Sequence, residues 1–132
     1  MATENLGAQQ TFTAGEDLSD HQFGCVYLHT TAGQVKIAGA AGNVIGILQN
    51  APESGYLATI LTAPGVIARA RAGAAISTVG AALESDADGE VVSFTVDGDG
   101  TTETTLVGYA LETASGENEI IKILTVFAPA SK

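Results

Sequence analysis

Apolar residues along this chain recur at every second position, which is the spacing of β-strands. In EVVSFTV (90–96) and EIIKILTVF (119–127), apolar side chains alternate between the two sides of an extended chain. Successive side chains of a strand point to opposite faces, whereas those on one face of a helix recur every three or four residues. Both segments are therefore predicted to be strands.

Six further segments have the composition of short strands and are bounded by Gly, Pro, Asn, Asp or Ser. They are FGCVYLHT, GQVKIA, NVIGILQ, YLATILT, GVIARARA and TTLVGYALE, and such boundary residues are typical of turns between strands. Residues 16–23 and 74–85 have patterns that a short helical turn would also satisfy. About eight short strands with brief connections predict an all-β fold, either a compact barrel or a sandwich.

Two stretches of the chain match each other in order and spacing. NVIGILQNAPESGYLATILT (43–62) and TLVGYALETASGENEIIKILT (105–125) each carry a glycine inside a strand pattern and end on Ile-Leu-Thr. Upstream, TAGEDLS matches RAGAAIS, and GQV matches GEV, in the same order. Since sixty residues bury little area alone, we predict two pseudo-repeats, at about 14–62 and 72–125, that share one core.

The glycines of the two matching stretches, Gly46 and Gly108, fall inside predicted strands. Glycine weakens strand pairing and marks a bulge or a close backbone approach. We interpret both as bends that curve each half around the common core.

The first thirteen residues lack a turn pattern and dense charge, and Leu6 and Phe12 are isolated apolar residues among polar ones. Such a segment is either disordered or an arm that orders on a partner. We therefore divide the chain into an extended N-terminal arm (1–13) and a single β domain (14–132), and place Leu6 and Phe12 at an interface.

The charge of the chain excludes several partners. Fifteen acidic residues against five basic ones give a formal net charge of -10. Nucleic acid and anionic membrane surfaces are poor partners for such a chain, because phosphate binding requires clustered Lys and Arg. The sequence also shows neither a signal-peptide pattern nor an apolar run that would span a membrane, so we expect a soluble protein.

Two of the five basic residues, Arg69 and Arg71, lie two positions apart in VIARARAG and are separated by alanine. In a strand they point to the same side. Two interpretations stay open: pairing with carboxylates of the same chain, or contact with another chain, for which Arg is better suited than Lys.

The candidate metal sites are incomplete. His21, Cys25 and His29 are evenly spaced, but a structural zinc needs a fourth ligand. The loops holding residues 86–90 and 97–103 offer carboxylates to calcium, yet the EF-hand pattern is absent and alternating Asp and Gly are also typical of turns. We expect no metal and no cofactor, and we expect Cys25 to be a packed small hydrophobic residue.

Catalytic motifs are also absent from the sequence. It contains no GxSxG, HExxH, phosphate-binding GxxxxGK or paired-Cys motif, so we expect no enzyme and name no catalytic residue. The alternative function is a carbohydrate- or cell-surface-binding β module, which would need exposed aromatic side chains; Tyr27, Tyr56 and Tyr109 lie in or beside strand patterns.

The succession TFTAGEDLS, GQVKIAGAAGNVIGILQNAPESG, ATILTAPGVIARARAGAAIS, VGAALESDADGEV and TTLVGYALETAS resembles the capsid decoration, or cement, proteins of tailed bacteriophages over about residues 11–128. The resemblance implies a structural protein on the outer surface of the virion. It would bind the phage head and stabilise the capsid lattice by bridging major capsid protein subunits.

The same resemblance implies a homo-oligomer, a trimer, that is made in the host cytoplasm before it joins the capsid. It transfers no contact residues. The proposed interface residues Leu6, Phe12, Arg69 and Arg71 therefore depend on the physical arguments above.

Overall fold

Ten β-strands make up this computed structural model, which describes residues 7–40, 42–98, 100 and 102–132. No helix occurs among these residues, so the predicted all-β class is confirmed. The strands are β1 (Gln9–Ala14), β2 (Cys25–Leu28), β3 (Gln34–Ile37), β4 (Gly46–Leu48), β5 (Leu57–Leu61), β6 (Ile67–Arg71), β7 (Ala82–Ser85), β8 (Val91–Ser93), β9 (Glu103–Ala110) and β10 (Ile120–Ser131).

Eight of the ten strands coincide with the predicted segments, and β1 and β7 are additional. The two stretches with a helical alternative contain no helix: residues 16–23 form turns and irregular backbone, and residues 74–85 end in β7. Tertiary pairing overrides local preference at β7, because its partners β8 and β9 satisfy its backbone groups.

The predicted arm also needs correction, since residues 9–13 belong to β1. This strand pairs antiparallel with β5, with Phe12 opposite Ala58 and Thr11 opposite Thr59. β1 was missed because it carries Gln and Thr instead of an apolar pattern, while its pairing partner lies more than forty residues away. Leu6 and the rest of residues 1–6 lie outside the described residues.

The first five strands form a closed barrel in the order β1-β3-β2-β4-β5, closed by the pairing of β1 with β5. The last five form a sheet in the order β6-β10-β9-β7-β8. If β6 to β10 are matched in turn with β1 to β5, the four pairings of the second sheet correspond to four of the five pairings in the barrel.

The fifth pairing of the barrel, between β1 and β3, corresponds to a single β-bridge in the second half. In the barrel, β1 and β3 pair in parallel through Ala14 and Val35, and in the second half Ala72 and Val91 form an isolated parallel bridge. Ala72 follows Ala14 by 58 residues and Val91 follows Val35 by 56, and the matches of TAGEDLS with RAGAAIS and of GQV with GEV have these same offsets.

A matched turn accompanies these bridges. The N–H of Gly55 donates to the carbonyl of Ala14 at 2.9 Å, and the N–H of Asn118 donates to the carbonyl of Ala72 at 2.8 Å. Gly55 and Asn118 both have left-handed backbone, with φ of 85° and 69°. The recurrence of pairing, bridge and turn supports the predicted pseudo-repeat.

Buried side chains form two clusters. One fills the barrel with Leu18, Val26, Val35, Leu48, Ile60 and smaller residues. The other combines Cys25, Ile47 and Leu61 of the barrel with the inner side of the second sheet. Adjacent residues such as Ile60 and Leu61 thus enter different clusters, because a strand alternates its side chains. The halves share a core, as predicted, but the barrel also has a core of its own.

Hydrogen bonds join the two halves directly. The Cys25 N–H donates to the carbonyl of Gly89 at 2.7 Å, and the Arg71 N–H donates to the carbonyl of Phe23 at 3.0 Å. The hydroxyl of Thr105 donates to the carbonyl of Gly42 at 3.0 Å. The halves therefore form one body.

An ion pair with little exposure fixes the last described residue. Lys132 Nζ lies 2.9 Å from Glu84 Oε1, with side chains 16% and 9% exposed, and 6.0 Å from the centroid of the Phe94 ring. Glu84 Oε2 is buried and has no hydrogen-bond partner among the described residues.

Gly46 and Gly108 lie where the last two strands of each half approach each other closely. A Cβ at Gly46 would collide with the carbonyl oxygen of Leu61, and one at Gly108 with that of Leu124. We expect Gly46→Val and Gly108→Val each to lower the free energy of unfolding by about 1–3 kcal/mol or more, because main chain must move. Thermal denaturation measures the loss.

Gly116→Ala is the matched control, since its Cβ would meet nothing within 4 Å. A melting temperature that stays unchanged in Gly46→Val would refute the predicted role of this glycine.

A second prediction concerns the ion pair. Lys132→Met leaves the Glu84 carboxylate buried without its cation, so we expect the free energy of unfolding to fall by about 3–5 kcal/mol. Denaturant titration of this variant measures the effect, and Lys36→Met is the control because Lys36 takes part in no ion pair among the described residues. Equal losses in the two variants would contradict the prediction.

Candidate functional site

The four residues placed at an interface by the sequence analysis lie in different environments. Phe12 is half-buried and packs against the core of the barrel, while Leu6 is outside the described residues. Arg69 is exposed on β6, and Arg71 is half-buried at the end of that strand. The structure thus brings together only the two arginines.

Arg71 binds the other half of the same chain. Its Nε and Nη2 atoms each donate to the carbonyl of Gln22 at 3.3 Å, and its main-chain N–H donates to Phe23. The acceptors are carbonyls and not the carboxylates considered from the sequence. Arg71 therefore stabilises the contact between β6 and the loop before β2.

Arg69 has a different setting because it faces solvent directly opposite another cation. The register of β6 with β10 places Lys122 across from Arg69 and Leu124 across from Ile67, and the register of β10 with β9 places Tyr109 beside Leu124. Paired residues of neighbouring strands project from the same side of a sheet. Together these side chains form a surface that we call the outer face, made of Ile67, Arg69, Tyr109, Leu111, Ile120, Lys122 and Leu124.

The outer face is unusually apolar for an exposed surface. Five of the ten large apolar side chains exposed among the described residues lie on it, including Ile67, which is 67% exposed. Contiguous exposed apolar patches mark sites of contact with other molecules more often than scattered ones do.

The cations of the outer face have no ion-pair partner in the described part of the chain, where Lys132 and Glu84 form the one salt bridge. The nearby Glu112 carboxylate accepts from the main-chain N–H of Lys122 at 3.3 Å. Arg69 and Lys122 are thus adjacent cations without an ion pair among the described residues, on a chain of net charge -10.

Lys122 and its apolar neighbours were missed as site residues by the sequence analysis. Strand alternation does place Ile120, Lys122 and Leu124 on one side, and it does the same for Ile67 and Arg69. What the sequence lacked was the pairing of β10 with β6, which joins segments about fifty residues apart.

The residues considered for metal binding do not converge. Cys25 is buried in the core between the halves, whereas His29 is half-buried and its Nδ1 accepts from the N–H of Thr31 at 3.1 Å. Burial raises the pKa of the Cys25 thiol to about 12, with a smaller contribution from the charge of Asp86. Among the described residues no group of three or more His, Cys, Asp or Glu side chains is arranged to hold a metal ion.

The first acidic loop is held as a turn by its own carboxylate. Asp86 Oδ1 accepts from the N–H groups of Asp88 and Glu90, both at 2.9 Å. This carboxylate therefore caps the turn between β7 and β8, which is the role that Asp commonly has in turns.

Both the sequence and the fold of this chain are similar to those of known proteins. The family model described as phage cement protein matches residues 22–125, which is more than half of the chain and includes strands of both halves. The chain belongs to the phage cement protein family. Cement proteins are phage structural proteins and not a class of enzymes, so membership implies a structural role associated with the capsid.

A solved structure shows the same fold. The crystal structure of the head fiber N base in bacteriophage phi29 matches with a TM-score of 0.66 at 19% identity, over 92% of this chain and 96% of that chain. At this identity the likeness concerns the fold. No curated protein sequence matches this cement-family chain significantly, and the described residues include no helix that is long and apolar enough to cross a membrane.

The acidic turn near Arg71 gives a prediction about pH. Partial burial raises the pKa of the Glu90 carboxyl, the charges of Asp86 and Glu117 raise it further, and Arg71 partly opposes them. A raised pKa in the folded protein means that the protonated form stabilises the fold. This contribution is complete below the ordinary pKa of a glutamate side chain, 4.5, and is lost as the pH rises through the folded value.

We therefore expect Glu90→Gln to raise the melting temperature at pH 7 and to have a smaller effect at pH 4. Melting curves of the parent and the variant at both pH values measure this difference. The exposed Glu53 supplies the control substitution, Glu53→Gln. A rise in melting temperature that is larger at pH 4 than at pH 7 would be the opposite pH dependence and would refute the prediction.

Proposed function

We propose that this chain binds the outer surface of an assembled phage head and stabilises the capsid lattice by bridging major capsid protein subunits. The observation that carries the proposal is the match to the phage cement protein family across both halves of the fold. The hydrogen bonds between the halves provide the single rigid body that a bridging protein requires.

The proposed mechanism is a shift of the assembly equilibrium. A protein that binds the assembled lattice and not the free subunit stabilises the assembled state by mass action. Contacts that are individually weak add up when they are repeated over a closed shell. The small surface of a 132-residue chain is therefore compatible with a large effect on the particle.

We further propose that the bound form is a homotrimer, as the resemblance to decoration proteins at local threefold positions suggests. Copies made in the host cytoplasm would carry a net charge of -10 each. Mutual repulsion would keep them soluble until they meet the lattice. Native mass spectrometry of the free protein distinguishes a trimer from a monomer.

The alternative function, a carbohydrate- or cell-surface-binding β module, has one supporting observation. Tyr56 is 66% exposed and borders a shallow depression that is also lined by Asn50, Pro52, Glu53 and Leu57. Glycan-array binding that is lost in Tyr56→Ala would favour this alternative, because aromatic rings supply apolar contact surface to ligands.

The test of the proposed function uses heads assembled without this protein from the phage that encodes it. We expect the protein to cosediment with these heads in a saturable manner, and to raise the temperature at which they release DNA as its concentration rises. Unassembled capsid subunits serve as the control and should not bind.

Absence of cosedimentation would refute binding to the head. Saturable binding with an unchanged release temperature would refute stabilisation while leaving the structural association intact.

A further inference from the structure

We infer that the outer face is the surface that docks on the capsid, and that the capsid strip which receives it is acidic around an apolar centre. This inference rests on the proposed function, because it names the partner of that function. It depends on four observations: the comparison of the two halves, the opposed cations, the exposed apolar row and the distribution of charge.

The comparison of the two halves shows that the fold does not require the outer face to be cationic. The barrel pairs Thr11 with Thr59 at the positions where the second sheet pairs Arg69 with Lys122. Gln9 likewise corresponds to Ile67. The same strand pairing is therefore built with neutral polar residues in the first half, which indicates that the second half carries its cations and Ile67 for another purpose.

The opposed cations are a cost to the isolated protein. Like charges directly across an antiparallel pair destabilise a sheet, and Arg69 and Lys122 have no carboxylate partner within ion-pair distance among the described residues. An acidic partner would offset the repulsion between Arg69 and Lys122 and form an ion pair with each. The removal of this repulsion would then contribute to the free energy of docking.

The apolar row supplies the centre of the contact. Ile67, Leu124 and Tyr109 lie side by side across three strands, and all three are exposed. Aliphatic and aromatic side chains flanked by Arg form the energetic centre of many protein interfaces. Because the row lies on paired strands, little conformational entropy is lost when it is covered.

The charge distribution favours a capsid partner over a symmetric pair of this chain. Two copies in contact through the same outer face would bring Arg69 and Lys122 of each copy together, which adds repulsion. On a chain with 15 acidic residues, a cationic face would instead orient the protein toward an acidic strip and speed productive encounter.

The experiment measures binding of the parent and of repeat-matched variants to undecorated heads. Arg69→Thr/Lys122→Thr installs the residues that the barrel uses at the equivalent positions. A second variant adds Thr11→Arg/Thr59→Lys to that pair, which moves both cations to the first half and keeps the net charge at its parental value. Ile67→Gln, matched by Leu28→Gln on the exposed end of β2, tests the apolar row. Melting curves confirm that each variant is folded.

We expect Arg69→Thr/Lys122→Thr to weaken binding by roughly tenfold or more, with the charge-moved variant equally weak. The difference from the parent should shrink between about 0.1 M and about 1 M salt, over which the Debye length falls from roughly 10 Å to roughly 3 Å. Ile67→Gln should weaken binding at all salt concentrations, and Leu28→Gln should leave it unchanged.

The outcomes separate the inference from the proposed function. If the parent binds heads and Arg69→Thr/Lys122→Thr binds equally well, the outer face is not the docking surface although the proposed function stands. If the loss of binding in Arg69→Thr/Lys122→Thr is the same at all salt concentrations, the capsid surface that receives the outer face is not acidic. If the parent self-associates and this double variant does not, as measured by sedimentation equilibrium, the occupant is a second copy. Failure of the parent itself to bind overturns both proposals.

Discussion

The antiparallel pairing of the first and last strand in each half is the constraint on which the rest of the structure depends. It joins β1 to β5 and β6 to β10, and it fixes which side chains enter the core, because a shift by one residue would turn every side chain to the other face. In the second half this register buries Ala68 and Ala70 and leaves Arg69 opposite Lys122 on the surface. The contact of Arg69 with Lys122 on the outer face is thus a direct result of this register.

Much of the fold was accessible from the sequence because eight strands show apolar alternation between turn residues. β1 lacks that signal, since its Gln and Thr residues are stabilised as a strand by pairing with β5 and by Phe12 in the barrel core. β7 was obscured because small residues before it also satisfy a helical pattern. In both cases the information lies in a partner strand distant in sequence, which local propensity does not contain.

The candidate site was accessible only in part. Alternation placed Arg69 and Arg71 on one side of a strand, but it could not show that Arg71 reaches the Gln22 carbonyl while Arg69 faces solvent. Nor could it place Lys122 next to Arg69, because that contact depends on how β10 returns along β6. The barrel provides an internal reference, because Thr11 and Thr59 occupy the positions that correspond to Arg69 and Lys122.

The burial of Cys25 has a consequence for copies crowded together on a particle. A virion leaves the reducing interior of the cell, and accessible thiols on closely spaced proteins then form cross-links. Here the single thiol lies in the shared core with its pKa raised to about 12, so it has neither the access nor the thiolate form that oxidation requires. Oxidation is therefore not expected to link this chain covalently to another copy through Cys25.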